Sequence, residues 1–183
     1  SINTAAHKNP ELITEASNIF GKSTIVVAIE AIRQPDSTYQ AFTDNGRNRT
    51  GREVISWAKE AEERGAGEIL LTSVDCEGTC DGPDMDMINQ VKNNINIPLV
   101  VHGGIGRPKH AVAVAKKIPV SGIAIASLLH YHYLKKNRQV DGFEDEGNID
   151  FLKSNRYYSK VVPTTLSVLK EYISSNNINC RLD

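Results

Sequence analysis

Nowhere in the sequence do apolar residues run for the roughly 20 positions a membrane-spanning helix needs, and no signal-type N-terminus opens it. An excess of one charge is also missing: 21 Lys and Arg stand against 22 Asp and Glu, a net charge of −1. That balance gives no long-range field to draw nucleic acid or an anionic membrane, so any anion must be captured locally. Cysteine is scarce. Cys76, Cys80 and Cys180 form an odd set without framework spacing, which points to a reducing compartment and a cytoplasmic protein. Cys76 and Cys80 have no histidine near them in sequence and read as incidental thiols, so neither a metal nor a cofactor is expected. The chain begins without Met, at SINTAAHKNPELI, which leaves an upstream start open. Its 183 residues suit a single domain over 1–183 that buries roughly two-thirds of its unfolded surface.

What is present is an alternation of strand and helix patterns. STIVVAIEAI (23–32) is β-branched and apolar on both faces, as a buried parallel strand should be. GREVISWAKEAEERGAG (51–67) spaces Val54, Ile55, Ala58 and Ala61 helically and ends at Gly65. Further strands are expected at 67–75, 97–106 and 121–132, with helices at 84–98 and 107–119. VPTTLSVLKEYISSNNI (162–178) reads as a terminal helix with Leu166, Leu169, Tyr172 and Ile173 on its apolar stripe. A leading helix is expected over 9–21. One helix followed by four βα units is an α/β pattern, which a doubly wound sheet or a (β/α)8 barrel accepts. In both, chemistry gathers at the C-terminal ends of the strands.

The residues at those ends stand out. In LLTSVDCEGTCDG (70–82) a strand runs into Asp75, Glu77 and Gly78, which is either a solvated turn or the lip of a site that handles charge. Glu30 interrupts an apolar strand, and a carboxylate there is costly unless paired or functional. His102-Gly103-Gly104 reads as a plain strand-to-helix turn or as one whose backbone N–H groups cradle phosphate. Ala126-Ser127 after the fourth strand is weaker alone. Together, the glycine pair and Ala-Ser match the loops that build the usual phosphate site of barrels.

SINTAA, FGKSTIVVAIEA, RGAGEILLTS, SVDCEGT and the closing LKEYISSNNINCRL together resemble the cyclase subunit of imidazole glycerol phosphate synthase, of histidine biosynthesis. The similarity covers nearly the whole chain except about 134–160 and corresponds to the C-terminal part of that family's barrel, from the end of its fourth strand through its eighth. The resemblance implies a TIM-barrel fold, here a half-barrel of about four βα units with a leading helix. It also implies an ammonia-dependent cyclase, or lyase, that acts on a ribulosyl aminoimidazole-carboxamide nucleotide. The products are imidazole glycerol phosphate and the aminoimidazole-carboxamide nucleotide. No cofactor is implied. The implied partners are a glutaminase that supplies ammonia and the phosphorylated nucleotide substrate.

Residue by residue, Glu30 stands where the family carries a catalytic aspartate on its fifth strand. Glu77 stands where it usually has another aspartate, beside the phosphate-binding glycine that Gly78 matches. Gly103, Gly104, Ala126 and Ser127 fall on one phosphate site, and Asn3 and Thr4 line the other. Thr72 and the DNGRNRTG loop (44–51), with Asn45 and Gly46, fall on the substrate rim, and Asp75 on the lip.

Departures from that pattern matter. Glu for Asp at positions 30 and 77 moves each carboxylate on the order of an ångström, a displacement that can cost about a hundredfold in rate. His102 replaces a small residue ahead of the glycine pair, where it either crowds a phosphate or donates to it. Residues 134–160 have no counterpart and read as a charged surface insertion. His130 and His132 would share a face of an extended strand, which falls short of a metal site. The leading reading is the cyclase. A paralogous amidotransferase subunit acting on a phosphorylated or nucleotide sugar, and a non-catalytic phosphate-binding half-barrel, stay open. Open strand edges further call for self-association or for an N-terminal half-barrel supplied separately.

Overall fold

The computed structural model describes residues 1–136 and 160–182. The expected insertion therefore lies outside the described residues except at its margins, where 134–136 continue a helix and Lys160 stands in a turn.

Two short helices, α1 (Thr4–Lys8) and α2 (Glu11–Phe20), precede strand β1 (Val26–Arg33). A hairpin of β2 (Tyr39–Thr43) and β3 (Asn48–Glu53) follows, then α3 (Val54–Glu63), β4 (Glu68–Ser73) and α4 (Met85–Lys92). The chain continues through β5 (Leu99–His102), α5 (Pro108–Lys117), β6 (Gly122–Ile123), α6 (Ser127–Lys136) and α7 (Leu166–Ser175). One sheet orders the strands β3-β2-β1-β4-β5-β6. β1, β4, β5 and β6 are parallel, and the hairpin extends the sheet antiparallel from the upper half of β1. Ile2 pairs beside the lower half of β1, its N–H donating to Val26 O at 2.8 Å and its carbonyl accepting from Ala28 at 2.9 Å.

Strand periodicity sorts the residues onto two faces. Val27, Ile29 and Ala31 of β1, Ile69 and Leu71 of β4, and Leu99 and Val101 of β5 join one core. Against them pack Trp57, Ala58 and Ala61 of α3, Met87, Ile88 and Val91 of α4, and Val114 of α5. The other face carries Val26, Ala28, Glu30, Leu70, Thr72, Val100 and His102, all half-exposed. Helix starts follow from their caps. Glu53 accepts from the N–H groups of Ile55 and Ser56 at 2.9 and 2.7 Å, and Asp84 accepts from that of Met87 at 3.0 Å.

Two expectations need correction. The fourth strand is confined to Gly122–Ile123, and helix α6 begins at Ser127, so His130 and His132 ride a helix and share no strand face. The loop expected over 44–51 is a turn only as far as Arg47, and residues from Asn48 onward form β3. The helix expected over 9–21 forms as α2, and the short α1 stands ahead of it.

Candidate active site

Glu30 projects from the half-exposed face of β1, opposite Phe42 of β2 and Thr72 of β4. Its carboxylate is held from both sides. Oε1 accepts from Asn3 Nδ2 at 3.0 Å, and Oε2 accepts from the backbone N–H of Gly46 at 2.8 Å. Gly46 can do this because the hairpin turn takes Asp44, Asn45 and Gly46 through φ of 55°, 57° and 75°. A Cβ on Gly46 would also stand 2.7 Å from Val74 Cγ1. Asn45 is exposed at the turn, and Thr4 opens α1 directly after Asn3. Asn3 Oδ1 is buried without a hydrogen-bond partner among the described residues, leaving an unused acceptor next to the carboxylate.

The second group surrounds a pocket of about 140 Å³. It brings Glu77, Gly78, Gly103, Gly104, Ala126 and Ser127 together at one place, with His102 and Cys80 in the same wall. The loop after β4 wraps the glycine pair. The N–H of Gly82 donates to Gly104 O at 2.9 Å, and a Cβ on Gly104 would collide with the Gly82 carbonyl. Gly103 and Gly104 have φ of 106° and 82°. Both positions therefore need glycine for the chain's own backbone packing, and the pocket wall there is bare backbone. Ser127 opens α6, so the positive end of a helix faces the same pocket. Burial first of all pushes the Cys80 thiol up from its ordinary value, which keeps that side chain in its neutral form at neutral pH.

Thr72 joins the groups. It stands between Glu30 and His102 in register, and its Oγ1 lies 3.5 Å from His102 Nδ1. Asp75 does something else: its Oδ2 accepts from the backbone N–H of Arg33 at 2.7 Å, which ties the upper ends of β4 and β1. The strand-end position that suggested Asp75 as part of a site lip also fits this tie.

One supporting cluster was not singled out from the sequence. The Tyr39 hydroxyl contacts Asp84 at 3.0 Å and takes hydrogen bonds from Arg33 Nε and Nη2 at 3.0 and 2.6 Å, while Arg33 also binds Asp86 at 2.8 Å. Burial first of all pushes the phenol up to about 12. Asp84 also caps α4, so this cluster fixes the base of the hairpin whose turn holds Glu30. The signal available was the Arg33-to-Tyr39 spacing across a hairpin, which shows only once the hairpin is known. Among the described residues, no group of three or more His, Cys, Asp or Glu side chains is arranged to hold a metal ion. No helix among them is long and apolar enough to cross a membrane.

Residues 1–135 match the family described as histidine biosynthesis protein. The chain belongs to that family. It is 42% identical over 149 residues to the imidazole glycerol phosphate synthase subunit HisF of Methanopyrus kandleri, a match covering 72% of this chain and 55% of that protein. The subunits of the same name from Streptococcus mutans and Leptospira biflexa are 41% and 42% identical, each over 72% of this chain and 52% of their own length. The chain spans about half the length of the curated relatives it matches. The histidine biosynthesis family is a TIM-barrel family, and the parallel strands β1, β4, β5 and β6 with their helices are four βα units of such a barrel.

Proposed function

We propose that this chain carries the C-terminal strand ends of an ammonia-dependent cyclase of histidine biosynthesis. In this reading, ammonia from a glutaminase partner and a ribulosyl aminoimidazole-carboxamide nucleotide are converted to imidazole glycerol phosphate and the aminoimidazole-carboxamide nucleotide. One observation carries it. A carboxylate tethered by two donors and a glycine-walled pocket lie at the same end of one sheet face, bridged by Thr72 and His102.

Each part has a physical role in this reading. Glu30 moves a proton during ring closure, and its two fixed hydrogen bonds hold the carboxylate in one orientation for that transfer. Gly78, Gly103, Gly104, Ala126 and Ser127 take one terminal phosphate on backbone N–H groups and the α6 terminus. Asn3 and Thr4 face the other end of the substrate, while Asn45, Gly46 and Thr72 line the path between. Asp75 braces the lip from outside, and Glu77 orients a substrate hydroxyl. Ring closure also needs an acid–base group on the far side of the substrate, which falls in family strands without counterpart in this sequence. A complementary half-barrel, or a second copy, covers the apolar part of the open face at Val26, Ala28, Leu70 and Val100. We read 1–183 as one folding unit working in the reducing cytoplasm, as its free thiols Cys76, Cys80 and Cys180 suit.

The test is ammonia-dependent turnover of the ribulosyl nucleotide, followed alongside mass in solution. It is run on the chain alone and with the N-terminal half of a relative's barrel. Turnover in either sample supports the cyclase reading. Absence of turnover from an assembled, nucleotide-binding sample would remove it.

A further inference from the structure

We propose that His102 is the side-chain donor that the phosphate pocket uses for the terminal phosphate of its ligand; this rests on the reading of the glycine-walled pocket as a phosphate site. The pocket is small. At about 140 Å³ it lies well below the roughly 300–1,000 Å³ of cavities that enclose a whole drug-sized ligand, so it takes one end of a molecule and no more.

Its wall holds an imbalance. Glu77 is an acid, and among the described lining residues there is no lysine or arginine to offset it. The backbone N–H groups and the α6 terminus supply partial positive charge, and His102 is the one lining side chain with a nitrogen donor. Its ring already has one neighbour assigned. Nδ1 faces the Thr72 hydroxyl at 3.5 Å, the outer limit of a hydrogen bond. With the hydroxyl donating to Nδ1, the ring proton sits on Nε2, which is the nitrogen left for the pocket. A hydrogen bond from that N–H to a phosphate oxygen is charge-assisted and stronger than a neutral one.

The same row explains where the rest of the ligand goes. His102 is the register partner of Thr72, and Thr72 of Glu30. A chain leaving the phosphate must pass the Thr72 hydroxyl to reach the tethered carboxylate. His102 therefore acts at the junction of the pocket and the reacting end, and a small residue at 102 would leave that junction to water.

The experiment is a titration of the isotope-labelled full chain with inorganic phosphate, followed by backbone amide and imidazole nitrogen resonances. The expected result is that the amides of Gly78, Gly104 and Ser127 and the His102 ring nitrogens move on one saturation curve. His102→Ser then binds phosphate about tenfold more weakly, as expected for losing a hydrogen bond to a charged group. His102→Gln, which keeps an N–H near the Nε2 position, stays within about threefold of the parent, since one donor replaces another. If the amides move while the ring nitrogens do not, and His102→Ser binds as tightly, the pocket stands as a phosphate site and the role of His102 falls. If no amide of the pocket moves in the parent chain, both fall together. The ring resonances of the parent need no variant, so the proposal is decided even if a substitution disturbs folding.

Discussion

The strands β1, β4 and β5 build two faces from the same residues in alternation, and the faces differ sharply. On the helix-covered side Val27, Ile29, Ala31, Ile69, Leu71, Leu99 and Val101 are all at most 2% exposed. On the other side every residue from Val26 to Ile32 and from Glu68 to Thr72 is half-exposed, and its upper row is the polar set Glu30, Thr72 and His102. Apolar residues on the first face are surrounded by partners from α3, α4 and α5. Apolar residues on the second, such as Ala28, Leu70 and Val100, keep part of their surface exposed instead. A single sheet thus separates the work of holding the fold from the work of holding a ligand. Polar side chains persist on the second face because solvent and neighbouring donors meet their hydrogen bonds, whereas burying them unpaired costs several kcal/mol, roughly.

The largest effect that would sharpen this division is on stability. Leu71→Ala empties space in a fully buried site and should cost about 2–5 kcal/mol, measured by urea unfolding. Leu70→Ala, one residue away on the open face, should cost under about 1.5 kcal/mol, because that side chain keeps part of its contact with water. Equal costs for the two would show that the open face is covered in solution, and dependence of the Leu70→Ala cost on protein concentration would identify a second copy as the cover.

Activity should reverse the ranking. Glu30→Gln keeps the shape of the side chain but must turn an NH₂ group toward one of the two donors that hold it, Asn3 Nδ2 or the Gly46 N–H. The expected loss is at least about a hundredfold in ammonia-dependent turnover by the assembled protein, as for removal of a general acid–base group. The accompanying loss of stability should stay under about 2 kcal/mol, the scale of one mismatched hydrogen bond on a half-exposed side chain. Turnover within a few-fold of the parent would make Glu30 a structural carboxylate and break the contrast between the faces.

How far the sequence foretold this depends on which signal each element carries. The parallel strands were legible because VVAIEAI, EILLTS and LVVH are apolar in runs, and helices α3, α4 and α5 because their apolar residues recur at helical spacing. The hairpin was not. β3 reads NRTGRE, a strand exposed along much of its length and without an apolar run, and its identity comes from pairing with β2 rather than from its own pattern. SGIAIASLLHYH (121–132) reads as a strand in sequence. Yet only Gly122 and Ile123 find a parallel partner, and helix takes over at Ser127. At the site, Gly78, Gly103 and Gly104 line one pocket, and glycine is a residue type whose tolerance of close backbone approach is written directly in the sequence. The tie from Asp75 to Arg33 was not legible, because an acid at a strand end looks the same whether it meets a ligand or a backbone N–H 42 positions away.

The smallest effect concerns pH and belongs to the covered side. His7 of α1 stacks on Trp57 with ring centroids 4.6 Å apart, and both its nitrogens are buried without partners among the described residues. Burial above all, with the Arg52 guanidinium adding and Glu60 opposing, holds the imidazole down at about 4. The folded value is below the unfolded one, so the unfolded chain binds the extra proton between pH 6.5 and about 4. Stability from the neutral ring is therefore complete above pH 6.5 and is lost as pH falls through that window. Allowing for the ring's partial exposure, the loss at pH 5 relative to pH 7 should be about 1 kcal/mol. His7→Phe keeps the stacking and removes the titration, so its urea midpoint should fall less than the parent's over the same two pH values. Parallel curves for the two proteins would mean that the imidazole takes its proton as readily in the folded chain as in the unfolded one. The covered face would then be wetter around α1 than the core beneath it.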